Sequence, residues 1–122
     1  MPDAAVACSH VFASALSAGD LQRATACFTR DGCLITPDET AVHGRDQIRS
    51  VLAQMVDHRT EVEVDLSNSV SAGDVMLVSE RWQVRIGEGS AQFEQVLYPT
   101  LVLQRVEAAW KLSIAAPWRR CR

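Results

Sequence analysis

The sequence has no long apolar run and no excess of basic residues. No continuous apolar stretch reaches the roughly 18 residues that a membrane helix needs, and no basic segment followed by an apolar signal core opens the chain. The formal net charge of -3 provides no positive surface to attract nucleic acid or anionic lipid. These absences favour a cytoplasmic protein that binds neither nucleic acid nor membrane.

Patterns typical of metal and disulfide sites are missing too. Cys8, Cys27, Cys33 and Cys121 include no C-x-x-C pair, and the three histidines are scattered without carboxylates at ligand spacing. Three of the cysteines fall in apolar helix or strand patterns, so we expect buried reduced thiols rather than ligands or a nucleophile. The sequence therefore predicts no metal and no cofactor.

Apolar residues are plentiful enough for one hydrophobic core. Of the 122 residues, 48% are hydrophobic, which suffices for a core without metal or disulfide support. No repeat or low-complexity linker divides the chain. We expect a single domain over residues 1–122, with an ordered core at about 4–118.

The first half of the chain has helical periodicity. Apolar residues predict a first helix from Asp3 to Ser17, and Asp20 caps a second helix whose apolar stripe extends to Phe28. The Asp31-Gly32 dipeptide then predicts a turn. The clearest helix is the third, Arg45 to Asp57, with a broad apolar face.

Short strands account for the rest of the chain. A first strand is predicted at Cys33 to Thr36, followed by a polar loop at residues 38–42. From Thr60 the apolar period switches to two, which indicates a sheet that is wet on one face. Turn residues divide the second half into strands from Thr60 to about Ser71, Val75 to Ile86, Gln92 to Val106 and Trp110 to Trp118. Pro99 indicates an edge or a bulge. The order predicts an α+β fold, with three N-terminal helices packed in the concave face of a curved, mainly antiparallel sheet that encloses a pocket.

Three short motifs between His10 and Ile48 carry a family resemblance. They are A-G-D-L at residues 18–21, F-x-x-D-G at residues 28–32 and H-G-R-x-Q-I at residues 43–48. With the sheet that follows, they resemble the nuclear transport factor two-like superfamily, closest to its SnoaL-like and ketosteroid isomerase-like branch, over Val6 to Trp118. The resemblance implies a cystatin-like cone with an internal pocket. Because this fold hosts isomerases, dehydratases, epoxide hydrolases, polyketide cyclases and non-enzymes, it leaves the function open.

Strand phase identifies the residues expected to face the pocket. In Val75 to Ile86, the set with Glu80 and Trp82 carries larger apolar residues around a single carboxylate, so we place it inward. The same phase places Tyr98, Thr100 and Val102 inward on the next strand. On the last strand it places Leu112, Ile114, Ala116 and Trp118 inward. A slip of one residue at Pro99 would instead turn Pro99 and Leu101 inward.

Glu80 is the strongest candidate for chemistry. A carboxylate in an apolar pocket is suited to general acid or base catalysis. The alternative is a structural glutamate bonded to Tyr98, Thr100 or the backbone. Tyr98 is the second candidate catalytic residue, as a hydroxyl donor to an oxyanion, and a local hydrogen bond is its alternative.

Eight further residues are expected to line the pocket. Trp82 and Trp118 could form an aromatic floor or belong to the core, and Thr36 could lie at the cavity mouth or stabilise the strand end. The predicted lining residues are Phe12, Thr36, Leu52, Trp82, Thr100, Val102, Ile114 and Trp118.

The opposite sheet face predicts self-association. The same phase places Leu77, Pro99, Leu101, Leu103 and Ala115 there, which is too apolar for a solvent-facing sheet. Relatives of this fold often pair through the outer sheet face. We therefore expect a homodimer that uses this surface.

The functional residues of the resembling families are mostly absent. The ketosteroid isomerase tyrosine position falls at Phe12, its base at Thr36 and its second aspartate near Val102. The epoxide hydrolase Asp-Arg-Asp set and the paired histidines of scytalone dehydratase-like enzymes cannot be assembled. A SnoaL-type polyketide cyclase, which needs a carboxylate in an apolar pocket, is least contradicted.

The leading hypothesis is a homodimer whose pocket takes a small apolar polyketide-, steroid- or terpenoid-like metabolite. Acid-base chemistry there would make it a cyclase, isomerase or dehydratase. The alternatives are a non-catalytic ligand carrier and an association domain that acts through its sheet face.

Overall fold

Three helices cover one face of a curved sheet in this computed structural model, which describes residues 3–118. Within that range the helices are α1 (Asp3–Ala18), α2 (Leu21–Ala26) and α3 (Arg45–Asp57). The seven strands are β1 (Phe28–Ile35), β2 (Ala41–His43), β3 (Thr60–Ala72), β4 (Val75–Ile86), β5 (Phe93–Leu97), β6 (Thr100–Val106) and β7 (Ala109–Ala116). A 3₁₀ turn at Gly89–Ala91 precedes β5. No helix within residues 3–118 is both long enough and apolar enough to span a membrane.

The sheet is mainly antiparallel. Its strand order is β2-β1-β7-β6-β4-β3, and β5 pairs with β4 beyond the end of β6. The pairing of β1 with β7 is parallel, and the other pairings are antiparallel. The predicted α+β architecture with a curved, mainly antiparallel sheet is therefore confirmed.

An aromatic cluster joins the helices to the sheet. Phe12 of α1 packs edge-on against Phe28 of β1, with ring centroids 5.5 Å apart, and lies 6.2 Å from the Trp82 ring of β4. All three side chains are fully buried, and each contributes about 1.5–3 kcal/mol of transfer free energy relative to an exposed side chain. This cluster fixes α1 over the middle of β4, where Glu80 lies.

Two predicted boundaries in the first half are wrong. The second helix ends at Ala26, and Phe28 begins β1 instead of extending the helix. Asp31-Gly32 lies inside β1, where the β1–β7 register shifts between Phe28 and Cys33, so the dipeptide produces an irregularity in the strand and no reversal of the chain. The short strand β2 forms at the end of the region predicted to be a loop.

The predicted phase of β6 is wrong by one residue. Leu101 pairs with Val78 and Leu103 with Met76, and all four side chains are buried under the helices. Thr100 and Val102 therefore face away from the helices. The error arises because pairing with β4 matches odd-numbered residues to even-numbered ones, and a single strand's pattern does not reveal that register.

A bulge in β7 overturns the inward placement of Ile114. Leu103 pairs with Leu112 and Val102 with Ile114, so Ser113 is the extra residue. Leu112 is buried as predicted, but beyond the bulge Ala115 is buried and Ile114 is 42% exposed on the outer face. Leu101, Leu103 and Ala115, predicted to be on the outer face, belong to the core.

Candidate functional site

A buried carboxylate lies at the centre of β4. Glu80 is 4% exposed, and its backbone N–H donates to the Pro99 carbonyl at 3.1 Å. Its carboxylate accepts three hydrogen bonds: from the Ser9 hydroxyl at 2.7 Å, from the Ser67 hydroxyl at 2.9 Å and from the Trp82 indole N–H at 2.8 Å. The inward orientation predicted for Glu80 is correct. Its partners, however, differ from the predicted ones.

A bulge in β3 supplies one of these donors. Val64 pairs with Trp82, but the register then shifts, so that Leu66 pairs with Arg81 and Ser67 with Glu80. Ser67 consequently faces the same side of the sheet as Glu80. Asp65, at the bulge, accepts a hydrogen bond from the Arg81 guanidinium at 2.9 Å on the outer side. The bulge thus places a polar residue where unbroken alternation would not.

The first helix brings a histidine to the same carboxylate. His10 Nε2 lies 4.0 Å from Glu80 Oε2 and 3.5 Å from the Ser67 hydroxyl. The His10 side chain is 52% exposed, whereas the Glu80 side chain is 0% exposed. His10 is therefore the accessible member of the pair, placed where an imidazole can exchange a proton with a bound molecule, and Glu80 is the enclosed member.

Three predicted lining residues belong to the packed core. Phe12, Leu52 and Trp82 have an exposed fraction of zero, so no space large enough for a water molecule adjoins them. Trp82 contributes through its indole N–H, which fixes the Glu80 carboxylate. Trp118 is half-buried against the same core.

The second predicted catalytic residue does not join Glu80. Leu97 pairs with Trp82 and Thr100 with Ser79, so the continuous register places Pro99 opposite Glu80 and Tyr98 opposite Arg81. Tyr98 is therefore on the outer side of the strand, together with the predicted lining residues Thr100, Val102 and Ile114. Tyr98, predicted to face the pocket together with Glu80, therefore lies on the opposite side of the strand.

Thr36 stabilises a turn after β1. Its hydroxyl donates to the Asp38 carboxylate, and the Thr40 backbone N–H donates back to the Thr36 hydroxyl at 3.1 Å. The Thr36 hydrogen bond is the main cause that lowers the pKa of Asp38. These contacts give Thr36 a structural role in the turn.

A groove runs beside α1, away from the carboxylate. It has a volume of about 660 Å³ and lies between the second half of α1 and the strands β3, β4 and β5. Its charged residues are Glu61, Glu63, Arg85 and Glu94. Glu80 and His10 do not line this groove.

Within residues 3–118, no group of three or more His, Cys, Asp or Glu side chains could hold a metal ion.

Ser9, His10 and Ser67 are the site residues that the sequence reasoning missed. Ser9 precedes Phe12 by three residues and so shares the buried face of α1. That spacing indicates a buried hydroxyl, which needs a hydrogen-bond acceptor nearby. Ser67 carries no such signal, because its position opposite Glu80 depends on the β3 bulge. His10 carries none either, because its approach to Glu80 depends on how α1 lies on the sheet.

Comparison with known proteins agrees with this architecture. No curated protein matches the sequence closely enough to count as a relative. A putative dehydratase of the NTF2-like family from Streptomyces avermitilis superposes with a TM-score of 0.83 at 16% identity, covering 98% of each chain. A ketosteroid isomerase-like protein from Erwinia carotovora gives a TM-score of 0.81 at 16% identity, with 98% of this chain and 96% of that one covered.

A third solved structure has a different description. A putative calcium/calmodulin-dependent protein kinase II association domain from Xanthomonas campestris superposes with a TM-score of 0.81 at 13% identity, covering 93% of this chain and 84% of that one. At these identities the three likenesses establish the fold alone. Residues 10–108 match the SnoaL-like domain family, and on that match the chain belongs to the SnoaL-like domain family.

Proposed function

We propose that the protein binds a small, largely apolar carbonyl metabolite beside His10 and moves a proton on it. The observation that carries this proposal is the half-exposed His10 imidazole 4.0 Å from the buried Glu80 carboxylate. Because Glu80 is enclosed by Ser9, Ser67 and Trp82, His10 is the group that reaches a substrate. Glu80 acts behind it.

The chemistry follows from the difference in exposure. A neutral His10 removes a proton from the carbon next to the substrate carbonyl, and the negative Glu80 stabilises the imidazolium that forms. Return of the proton to another carbon gives an isomerisation, and its transfer to a hydroxyl group that leaves as water gives a dehydration. Ring closure follows when the enolate carbon attacks a second carbonyl carbon of the substrate and the proton passes to the resulting alkoxide oxygen. A positioned acid-base group of this kind contributes about 10²- to 10⁴-fold in rate.

The structural neighbours support the same reaction class. One is described as a putative dehydratase and another as ketosteroid isomerase-like, and both reactions require a proton to be moved on carbon. The substrates we propose are therefore cyclic ketones of polyketide, steroid or terpenoid type, bound without a cofactor.

Proton exchange in D₂O tests this proposal directly. The protein would be incubated with aromatic polyketide, steroid and monoterpene ketones, and deuterium incorporation next to the carbonyl followed by NMR. We expect exchange above the buffer rate with at least one probe, and a fall of about 100-fold in His10→Gln. The control is His58→Gln, in which the rate should be unchanged. His58 is an exposed histidine that lies after α3. Wild-type exchange no faster than buffer, or equal rates in His10→Gln, would contradict it.

A second candidate function, self-association, rests on the outer sheet face. One continuous apolar row crosses β3, β4, β6 and β7. In it Val70 pairs with Leu77, Leu77 with Val102, and Val102 with Ile114. Val70 is 69% exposed, and Leu77 and Ile114 are each 42% exposed. We propose that two copies pair through this row, since an exposed apolar band of this kind is typical of a protein interface.

A further inference from the structure

The hydroxyl group of Ser67 touches both members of the His10–Glu80 pair. It donates to Glu80 Oε2 at 2.9 Å and lies 3.5 Å from His10 Nε2. A serine hydroxyl has one proton to donate and two lone pairs that accept. Because the proton goes to the carboxylate, Ser67 presents a lone pair to His10. Only an N–H group at Nε2 can form a hydrogen bond with that lone pair.

Glu80 favours the same position for the histidine proton. Its carboxylate accepts hydrogen bonds from Ser9, Ser67 and Trp82, and Oε2 lies 4.0 Å from His10 Nε2. A proton on Nε2 directs positive charge toward this oxygen, whereas an unprotonated Nε2 would direct its lone pair toward oxygen atoms. Both neighbours of Nε2 therefore favour the tautomer that carries the proton there.

We propose that Ser67 and Glu80 hold the His10 proton on Nε2, so that Nδ1 is the nitrogen that exchanges a proton with the substrate. The role of Nδ1 rests on the proposed function, but the tautomer does not. In the reaction Nδ1 accepts the proton from the substrate carbon and later releases it, while the proton on Nε2 stays in place. Ser67 is then a positioning residue, which acts through His10 and does not touch the substrate.

This assignment also restricts where the substrate lies. The two nitrogen atoms of an imidazole ring point in different directions, so a ring whose Nε2 faces Ser67 and Glu80 turns Nδ1 away from them. The His10 side chain is 52% exposed, which leaves its Nδ1 side open to a ligand. The substrate carbon should therefore approach the exposed side of the ring and not the space between His10 and Glu80.

His58 provides an internal reference with the opposite tautomer. Its Nδ1 lies 2.6 Å from the Gln54 carbonyl oxygen. A carbonyl oxygen accepts hydrogen bonds and cannot donate them, so Nδ1 of His58 carries the proton. The two histidines are therefore expected to differ within the same protein, with the proton on Nε2 in His10 and on Nδ1 in His58.

NMR spectra that correlate ring carbon-bound protons with the ring nitrogens test the assignment, since protonated and unprotonated nitrogens have well-separated ¹⁵N shifts. The full chain would be studied at alkaline pH, where imidazoles are neutral. We expect His10 mainly in the Nε2–H form and His58 in the Nδ1–H form. In Ser67→Ala the acceptor is removed, so the ratio of the two His10 forms should shift about 2- to 10-fold toward Nδ1–H.

Two further variants separate the contact of Ser67 with His10 from a general loosening of the site. Ser9→Ala removes another donor to Glu80 Oε2 but leaves the Ser67 hydroxyl in place, so the His10 ratio should match wild type. Ser67→Thr keeps a hydroxyl group and should retain the Nε2–H form. If Ser67→Ala does not fold, the comparison of His10 with His58 in wild type still decides the tautomer.

Three spectral outcomes would overturn the inference. They are a majority of Nδ1–H at His10 in wild type, an unchanged ratio in folded Ser67→Ala, and an equal shift in Ser9→Ala.

The deuterium exchange assay adds a test of the role in the reaction. With a ketone that wild type exchanges, Ser67→Ala should slow exchange about 10-fold, as expected when a histidine loses the partner that orients it, and ketone binding should be retained. An unchanged rate would remove Ser67 from the mechanism. If wild type exchanges no ketone, the proposed function fails together with the role of Nδ1, whereas the spectra still show whether Ser67 and Glu80 hold the proton on Nε2.

Discussion

His10 and Glu80 form a pair in which one member is half-exposed and the other is fully enclosed, with 4.0 Å between His10 Nε2 and Glu80 Oε2. The enclosed member is held by three donors, whereas the exposed one contacts the Ser67 hydroxyl at 3.5 Å. Because of this asymmetry, we expect changes at Glu80 to destabilise the fold, and changes at His10 to affect the proposed reaction without destabilising it.

Two substitutions at Glu80 should differ in their cost. In Glu80→Leu the Ser9, Ser67 and Trp82 donors lose their acceptor, so we expect a loss of about 3–5 kcal/mol in the free energy of unfolding. Glu80→Gln keeps an acceptor for the Trp82 indole, and both hydroxyls can rotate to accept from its amide, so we expect a loss of about 1–2 kcal/mol. Urea unfolding measures both.

The control for the two Glu80 substitutions is Glu63→Gln on β3. The Glu63 side chain is exposed, so we expect the free energy of unfolding to change by no more than about 0.5 kcal/mol. Equal losses in Glu80→Leu and Glu80→Gln would show that the three donors do not depend on the carboxylate.

His10→Gln should leave the fold intact. Half of the histidine side chain is exposed, and its nearest polar contacts are at 3.5 and 4.0 Å, so we expect a stability change below about 0.5 kcal/mol in the same urea titration. A loss comparable to that of Glu80→Leu would mean that His10 is a structural partner of the carboxylate, and the proton-transfer proposal would lose its basis.

The Asp65–Arg81 pair should give a pH-dependent contribution to stability. The hydrogen bond from the Arg81 guanidinium, 2.9 Å away, is the main cause that lowers the pKa of Asp65, and a hydrogen bond from Gln83 is the second. A carboxylate whose folded pKa is lowered stabilises the native state above its unfolded pKa and loses that contribution as the pH falls through its folded pKa. We therefore expect Asp65→Asn to be less stable than wild type at neutral pH.

That difference should vanish in acid, below the folded pKa of Asp65. The pair is solvent-accessible, so the effect is small, and thermal melts of both proteins across the acidic range measure it. A difference that is constant with pH would assign the effect to the bulge geometry of β3 rather than to charge.

Gly87, after β4, should tolerate alanine poorly. Its φ is 96°, and a Cβ there would lie 2.7 Å from the Ala91 carbonyl oxygen. Gly73, in the β3–β4 turn, has a φ of 62° but open space around its Cβ position. We expect Gly73→Ala to cost about 1 kcal/mol through backbone strain alone, and Gly87→Ala to cost roughly 2–4 kcal/mol because the clash adds to it. Similar losses in urea unfolding would contradict the clash.

Elements set by local periodicity could be predicted from the sequence. The bounds of α3, Arg45–Asp57, and of β4, Val75–Ile86, are confirmed, because a broad helical face and a regular alternation lie within each segment. The inward position of Glu80 follows from the same alternation. Features that depend on how two segments pack together could not be predicted from the sequence.

The phase of β6 illustrates that limit. The register with β4 decides whether Leu101 or Thr100 faces inward. The chain around Tyr98–Pro99 sets that register, and the residue pattern of a single strand does not encode it. The position of Ser67 opposite Glu80 depends in the same way on the bulge at Asp65. Core positions on one element were predictable, whereas the partners of the site were not.

Association through the outer sheet face should fail when its apolar row receives a charge. Leu77 and Ile114 are each 42% exposed, so an aspartate at either position remains hydrated in a monomer but would be buried between two copies. We expect Leu77→Asp and Ile114→Asp to be folded monomers in sedimentation equilibrium, under conditions in which wild type is a dimer. Leu101, which is fully buried, cannot serve in this test because its replacement by aspartate would unfold the core.

Phe93→Asp provides the matched control. Phe93 is 54% exposed but lies at the start of β5, opposite Ile86, away from the row. It should therefore remain dimeric while losing a comparable amount of exposed apolar surface. If all three variants and wild type have the same mass, the row is not the interface. A wild type that is monomeric would exclude self-association and leave the His10–Glu80 pair as the basis for function.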